Sequence, residues 1–101
     1  MIHCSIHANF GTGFICLSSQ SQIQLKNCEI FQNHGNGVTL RGNHLSLCMS
    51  GSTGRIEHNN KYSISSKGDH VTIKVNEKIM NTMKNGIESG TPVVVVVVDD
   101  M

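Results

Sequence analysis

Apolar positions along this chain come in short alternating runs separated by Gly, Asn and Ser, and the runs themselves recur. Cys4-x-Ile6-x-x-Asn9-x-Gly11-x-Gly13-Phe14 returns as Cys28-x-Ile30-x-x-Asn33-x-Gly35-x-Gly37-Val38, with every position displaced by 24. A more worn copy reads Ile56-x-x-Asn59 and then Ser63-Ile64, and a fourth reads Ile79, Thr82 and Gly86-Ile87. The anchor isoleucines Ile6, Ile30, Ile56 and Ile79 are spaced 24, 26 and 23 residues apart. A second apolar anchor follows eight residues after each: Phe14, Val38, Ile64 and Ile87. A third follows after 17: Ile23, Leu47, Ile73 and Val96. The alternation within Ile23-Gln-Leu25, Leu45-Ser-Leu47 and Val71-Thr-Ile73-Lys-Val75 is the period of a strand, not of a helix.

A unit of about 24 residues with three short strands cannot bury its own apolar face, but stacked copies can. The pattern therefore predicts an all-β parallel β-helix of about four coils, each with three short strands. Residues 1–101 read as one solenoid segment, with coils near 2–22, 23–46, 47–72 and 73–98. Ile6, Ile30, Ile56 and Ile79 should form one inward column. Asn9, Asn33 and Asn59 should stack at a corner, their amides bonding from coil to coil as stacked Asn side chains do in cross-β structures. Glycine before the second strand suits a position that disfavours a β-carbon. Residues 77–89 read as strand-turn-strand, because a helix across them would carry Gly86 in its interior. Met49 to Gly54 reads as a polar loop that lengthens the third coil.

The iterated Ile-x-x-Asn-x-x-x-Gly-Ile/Val pattern resembles the right-handed parallel β-helix repeat of pectin-lyase-like proteins, over roughly residues 2 to 98. The resemblance implies a right-handed solenoid and says little about activity, because lyases, hydrolases, adhesins and scaffolds share the repeat. Cysteine-bearing coils without a signal sequence look most like the intracellular Shc-binding-protein family and F-box-associated β-helices. That likeness implies a non-catalytic scaffold or protein-interaction module. The alternative it leaves open is a carbohydrate-binding or carbohydrate-active domain.

Composition narrows the partners. With 101 residues there is room for one domain. Charged residues make up 15%, and the formal charge is +1, which offers no field to gather nucleic acid or an anionic membrane. The longest apolar run is the six valines 93–98, far short of a membrane-spanning helix. The first residues lack the basic and apolar regions of a secretory signal, so an intracellular location is expected. Cys4, Cys16, Cys28 and Cys48 form no Cys-x-x-Cys pair and read as reduced, buried thiols.

Candidate chemistry is sparse. Hydrolases of the resembling family use aspartates on one strand face. Here the aspartates are Asp69, in a Gly-Asp-His turn, and Asp99-Asp100. His3 and His7 would not converge on a strand, and His34, His44, His58 and His70 fall near turns. No residue set points to a cofactor or a metal. The position before each first anchor reads Ser5, Glu29, Arg55 and Lys78, which should bring Glu29 against Arg55 on neighbouring coils. The position after it reads His7, Phe31, Glu57 and Met80, so Phe31 and Met80 are candidates for a contact patch. Glu29, Phe31, Arg41 and Arg55 are the candidate surface contacts, with Phe31 and Arg41 also the candidate sugar contacts. Open sheet edges at both ends, one carrying the valines, predict edge-to-edge self-association and read as a segment of a longer solenoid.

Overall fold

A computed structural model describes residues 4–90 and 93–99. Two of the positions discussed above, His3 and Asp100, lie outside the described residues. The chain winds as a right-handed parallel β-solenoid of four turns. The first turn holds β1 (Ser5–His7), β2 (Phe14–Cys16) and β3 (Gln22–Lys26). The second holds β4 (Glu29–Phe31), β5 (Val38–Arg41) and β6 (Ser46–Ser50). The third holds β7 (Arg55–Glu57), β8 (Ile64–Lys67) and β9 (Val71–Asn76). The fourth holds a helix, α1 (Glu77–Thr82), then β10 (Ile87–Ser89) and β11 (Val93–Val98). The coil boundaries read from the sequence fall inside β3, β6 and β9, because a turn of the solenoid begins at the first anchor strand.

Strands of successive turns pair in parallel to give three sheets, β1-β4-β7, β2-β5-β8-β10 and β3-β6-β9-β11. The registers align Ile6 with Ile30 and Ile56, Phe14 with Val38 and Ile64, and Ile23 with Leu47 and Ile73. These inward columns meet in one aliphatic core. Ile30, Val38, Leu40, Ile56, Ile64 and Ile73 are each 0% exposed.

Stacked polar side chains hold the corners. Asn9 Nδ2 donates to Asn33 Oδ1 at 2.9 Å, and Asn33 Nδ2 donates to Asn59 Oδ1 at 2.9 Å. The same two oxygens also accept the backbone N–H of Asn9 and of Asn33. Each amide thus satisfies groups on the coil beside it, which is what a buried polar side chain requires. In the first two turns the glycine before the second strand is set by proximity, whereas Gly86 of the fourth turn is set by a left-handed backbone, φ +80°. A Cβ on Gly37 would lie 2.6 Å from Ile56 Cγ2 and 2.9 Å from Asn59 Nδ2. The two extra residues of the third coil sit in the corner between β6 and β7. There Asn27 Oδ1 accepts the Thr53 N–H at 3.2 Å and its hydroxyl at 3.0 Å.

Three expectations are corrected. Residues 77–82 are helical, and only 87–89 form a strand. Asn76 caps the helix, its Oδ1 accepting the Ile79 N–H at 2.8 Å, and Glu77 lies in the first turn. The helix stops at Thr82, so Gly86 never enters it and the objection to a helix does not arise. Ile79 is still buried, but from the helix packed on β7; Thr82 Oγ1 accepts the Ile56 N–H that a fourth strand would have engaged. Second, Met49 belongs to β6 and is 0% exposed, so the polar loop begins after Ser50. Third, Val95, not Val96, stands in register with Ile73, because the turn before β11 is one residue shorter than equal offsets imply.

Candidate functional site

Two outer faces carry the exposed chemistry. On the β1-β4-β7 face, side chains of the non-inward positions stack up the solenoid. The His7 and Phe31 rings lie parallel with centroids 4.8 Å apart, and the Arg55 guanidinium sits 4.2 Å from the Phe31 centroid. Arg55 Nε donates to Glu29 Oε2 at 2.8 Å, and Nη1 donates to Glu57 Oε1. Hydrogen bonds donated to Glu57 first, and then to Glu29, raise the guanidinium above its already high ordinary pKa. Glu29, Phe31 and Arg55 are therefore brought together, as their positions in the repeat imply. Their charges and faces are spent on one another, so the cluster acts as a ladder clamp between coils. Phe31 and Met80 are not neighbours on this face: β7 with Glu57 lies between β4 and the helix that carries Met80.

Arg41 lies elsewhere, on the outer face of β2-β5-β8-β10. Strand alternation turns Ile15, Thr39, Ser65 and Glu88 outward in one register column, and Arg41 and Lys67 outward in the next. The corner loops after the stacked asparagines rise beside this face and make a wall. Together they enclose a groove of about 390 Å³, whose lining includes Phe10, Ile15, Leu17, His34, Arg41 and Lys61. Its floor is ordered: the Thr12 and Thr39 hydroxyls are 3.2 Å apart, and Asn36 Nδ2 donates to Thr39 Oγ1 at 3.1 Å. Its rim is not covered. Phe10 is 94% exposed, Leu17 71% and Ile15 53%, and Phe10 lies 5.8 Å from the His34 ring.

The groove's polarity is graded along the solenoid axis. Apolar side chains of the first turn give way to Arg41 of the second and Lys61 of the third, and among the described residues no carboxylate lines it. Glu88, on the fourth turn, accepts from the Ser65 hydroxyl at 3.0 Å. Of the sequence candidates only Arg41 reaches this site; Phe10, Ile15, Leu17, His34 and Lys61 were missed. The signal was present in Ile15 and Leu17, which flank the inward Cys16 and so must face out.

His44 and His70, on adjacent coils, stack with centroids 4.7 Å apart. Among the described residues no three His, Cys, Asp or Glu side chains converge on one point. Among the same residues no helix is long and apolar enough to cross a membrane. The chain matches no family model, no curated protein and no solved structure. The solenoid accordingly stands on its own register and packing.

Proposed function

We propose that this chain is a non-catalytic β-solenoid scaffold that binds an extended, acidic segment of a partner protein in the β2-β5-β8 groove. The observation that carries this reading is the groove's composition. Exposed apolar side chains of the first turn lead into Arg41 and Lys61, with no carboxylate among the described residues that line it. An apolar anchor followed by one or two acidic residues would bury Phe10 and Leu17 and pair with the cations. A rigid ladder of strands holds these side chains at fixed spacing, which lowers the ordering penalty of binding. The resemblance to pectin-lyase-like repeats, and within them to intracellular interaction modules, agrees with a display role without acid–base machinery.

A second reading, a carbohydrate-binding face, is favoured by one feature: the Phe10–His34 ring pair beside Arg41 in the same groove. An acidic glycan would use the same cations. An array of peptides pairing Leu or Phe with Asp or Glu, run beside a panel of neutral and uronic-acid oligosaccharides, separates the two. Peptide binding lost in Arg41→Glu and in Leu17→Ser, with no glycan retained, supports the scaffold reading. Glycan binding with the same losses supports the second. Binding that ignores both substitutions overturns the groove as the site.

A further inference from the structure

Spacing alone leaves the cysteines with several pairings, but the winding singles out one. Cys4 and Cys28 are 24 residues apart, one full turn, and they immediately precede the register partners Ser5 and Glu29. The Glu29 N–H donates to the Cys4 carbonyl at 2.8 Å, so the two backbones are stacked at this corner. Both side chains turn to the same core, Cys28 within it and Cys4 packed against it. Stacked residues of adjacent parallel strands lie about 4.8 Å apart, inside the Cα separation of about 4.4–6.8 Å that a disulfide spans. The other two cysteines have no such neighbour in register. Cys16 stands beside Leu40 and contacts the Ser18 hydroxyl at 3.6 Å, whereas Cys48 stands between Gln24 and Lys74.

We propose that Cys4 and Cys28 form an inter-coil disulfide site, closed by exchange with a small-molecule disulfide such as oxidised glutathione. Exposure orders the steps: Cys4 is half-buried at the end of the solenoid, while Cys28 is fully buried beneath it. Burial, the largest cause, pushes the Cys28 thiol up and shields it from an incoming disulfide, so the more accessible Cys4 is the first nucleophile. The Cys4 thiolate attacks one sulfur of glutathione disulfide, forming a mixed disulfide and releasing one glutathione thiolate, which takes up a proton. Cys28 then loses its proton and attacks the Cys4 sulfur, releasing the second glutathione. Two protein thiols are oxidised to one disulfide as one glutathione disulfide is reduced to two thiols. The bond ties the first turn to the second at the open end of the stack, and it closes a loop of about 25 residues.

The test uses the full chain with oxidised glutathione, followed by peptide mapping under non-reducing conditions. The expected product is a peptide pair joined through Cys4 and Cys28, still formed in a Cys16→Ser/Cys48→Ser double variant. Cys28→Ser should trap glutathione on Cys4, and Cys4→Ser should leave Cys28 unmodified until denaturant is added. The thermal midpoint of the crosslinked chain should rise by roughly 10–20 °C. Glutathione adducts on both Cys4 and Cys28 without a link would overturn the proposal. So would a link through Cys16 or Cys48 at comparable yield, or no reaction of the native chain.

Discussion

The two middle turns and the two outer turns are built from one repeat, yet they solve different problems. In the second and third turns the inward side chains are covered on both sides, by a register neighbour or, above Ile56, by the helix, so Ile30, Ile56, Val38 and Ile64 are wholly buried. In the first turn the equivalent Ile6 and Phe14 are only partly covered, and in the fourth Val95 is 38% and Val97 47% exposed. The same contrast holds for polar positions. Asn33 bonds on both sides and is 1% exposed, whereas Asn9 bonds on one side and is exposed. Burial in this fold is thus supplied by the neighbouring coil, not by the residue type. The α1 helix answers the problem on one sheet: it lays Ile79 over the third turn and bonds the Ile56 N–H through Thr82.

Paired substitutions sharpen this contrast. The largest difference is expected between Ile56→Ala and Val95→Ala. The first removes a fully buried side chain and should lower unfolding free energy by about 2–5 kcal/mol, the second by less than about 1 kcal/mol, read by denaturant titration. Next comes Asn33→Leu against Asn9→Leu. The central change takes the acceptor from both the Asn9 amide and the Asn9 backbone N–H, leaves the Asn59 oxygen only the backbone N–H of residue 33, and should destabilise by about 2–3 kcal/mol. The terminal change should have an effect of about 1 kcal/mol or less. If both asparagines respond equally, the stack does not distribute its bonds as described.

Gly37→Ala against Gly11→Ala follows. A β-carbon at Gly37 would sit 2.7 Å from the Ser63 carbonyl oxygen, but nothing lies within 4 Å of one at Gly11. Thermal unfolding should show a loss of about 1–3 kcal/mol for the first and almost none for the second. The smallest effect concerns pH. The folded-state pKa of Cys28 is raised above its ordinary value of 9.0, so the unfolded chain gives up that proton first. Stability from this group is complete below the ordinary thiol range and declines as pH rises through it. The decline should be shallower in Cys28→Ala; an identical pH profile for the two chains would contradict the assignment.

How much of this was legible beforehand follows from where periodicity is strict. The recurrence of the repeat, displaced by 24 and then by 26, exposed the inward columns, the stacked asparagines and the Glu29–Arg55 pair, because each is a consequence of register alone. Periodicity failed where the chain departs from it. The helix at 77–82 depends on the Asn76 cap, a local hydrogen bond that a strand-period reading ignores. The one-residue slip at Val95 hides inside six identical valines, where no side chain marks the register. Met49 was lost to a loop because its neighbours Ser50 and Gly51 are polar or small. The groove was missed for another reason. It combines Ile15 and Leu17 on a strand face with Phe10, His34 and Lys61 on three successive corners, and only the winding brings corners of different coils together.

The winding itself can be measured directly. In a sample with labelled isoleucine methyl groups, through-space NMR contacts should run from Ile6 to Ile30 and from Ile30 to Ile56, each step about one 4.8 Å strand spacing along a single inner column. An Ile30 whose methyl groups contact neither Ile6 nor Ile56 would contradict the stacked turns, and with them the groove and the cysteine pair.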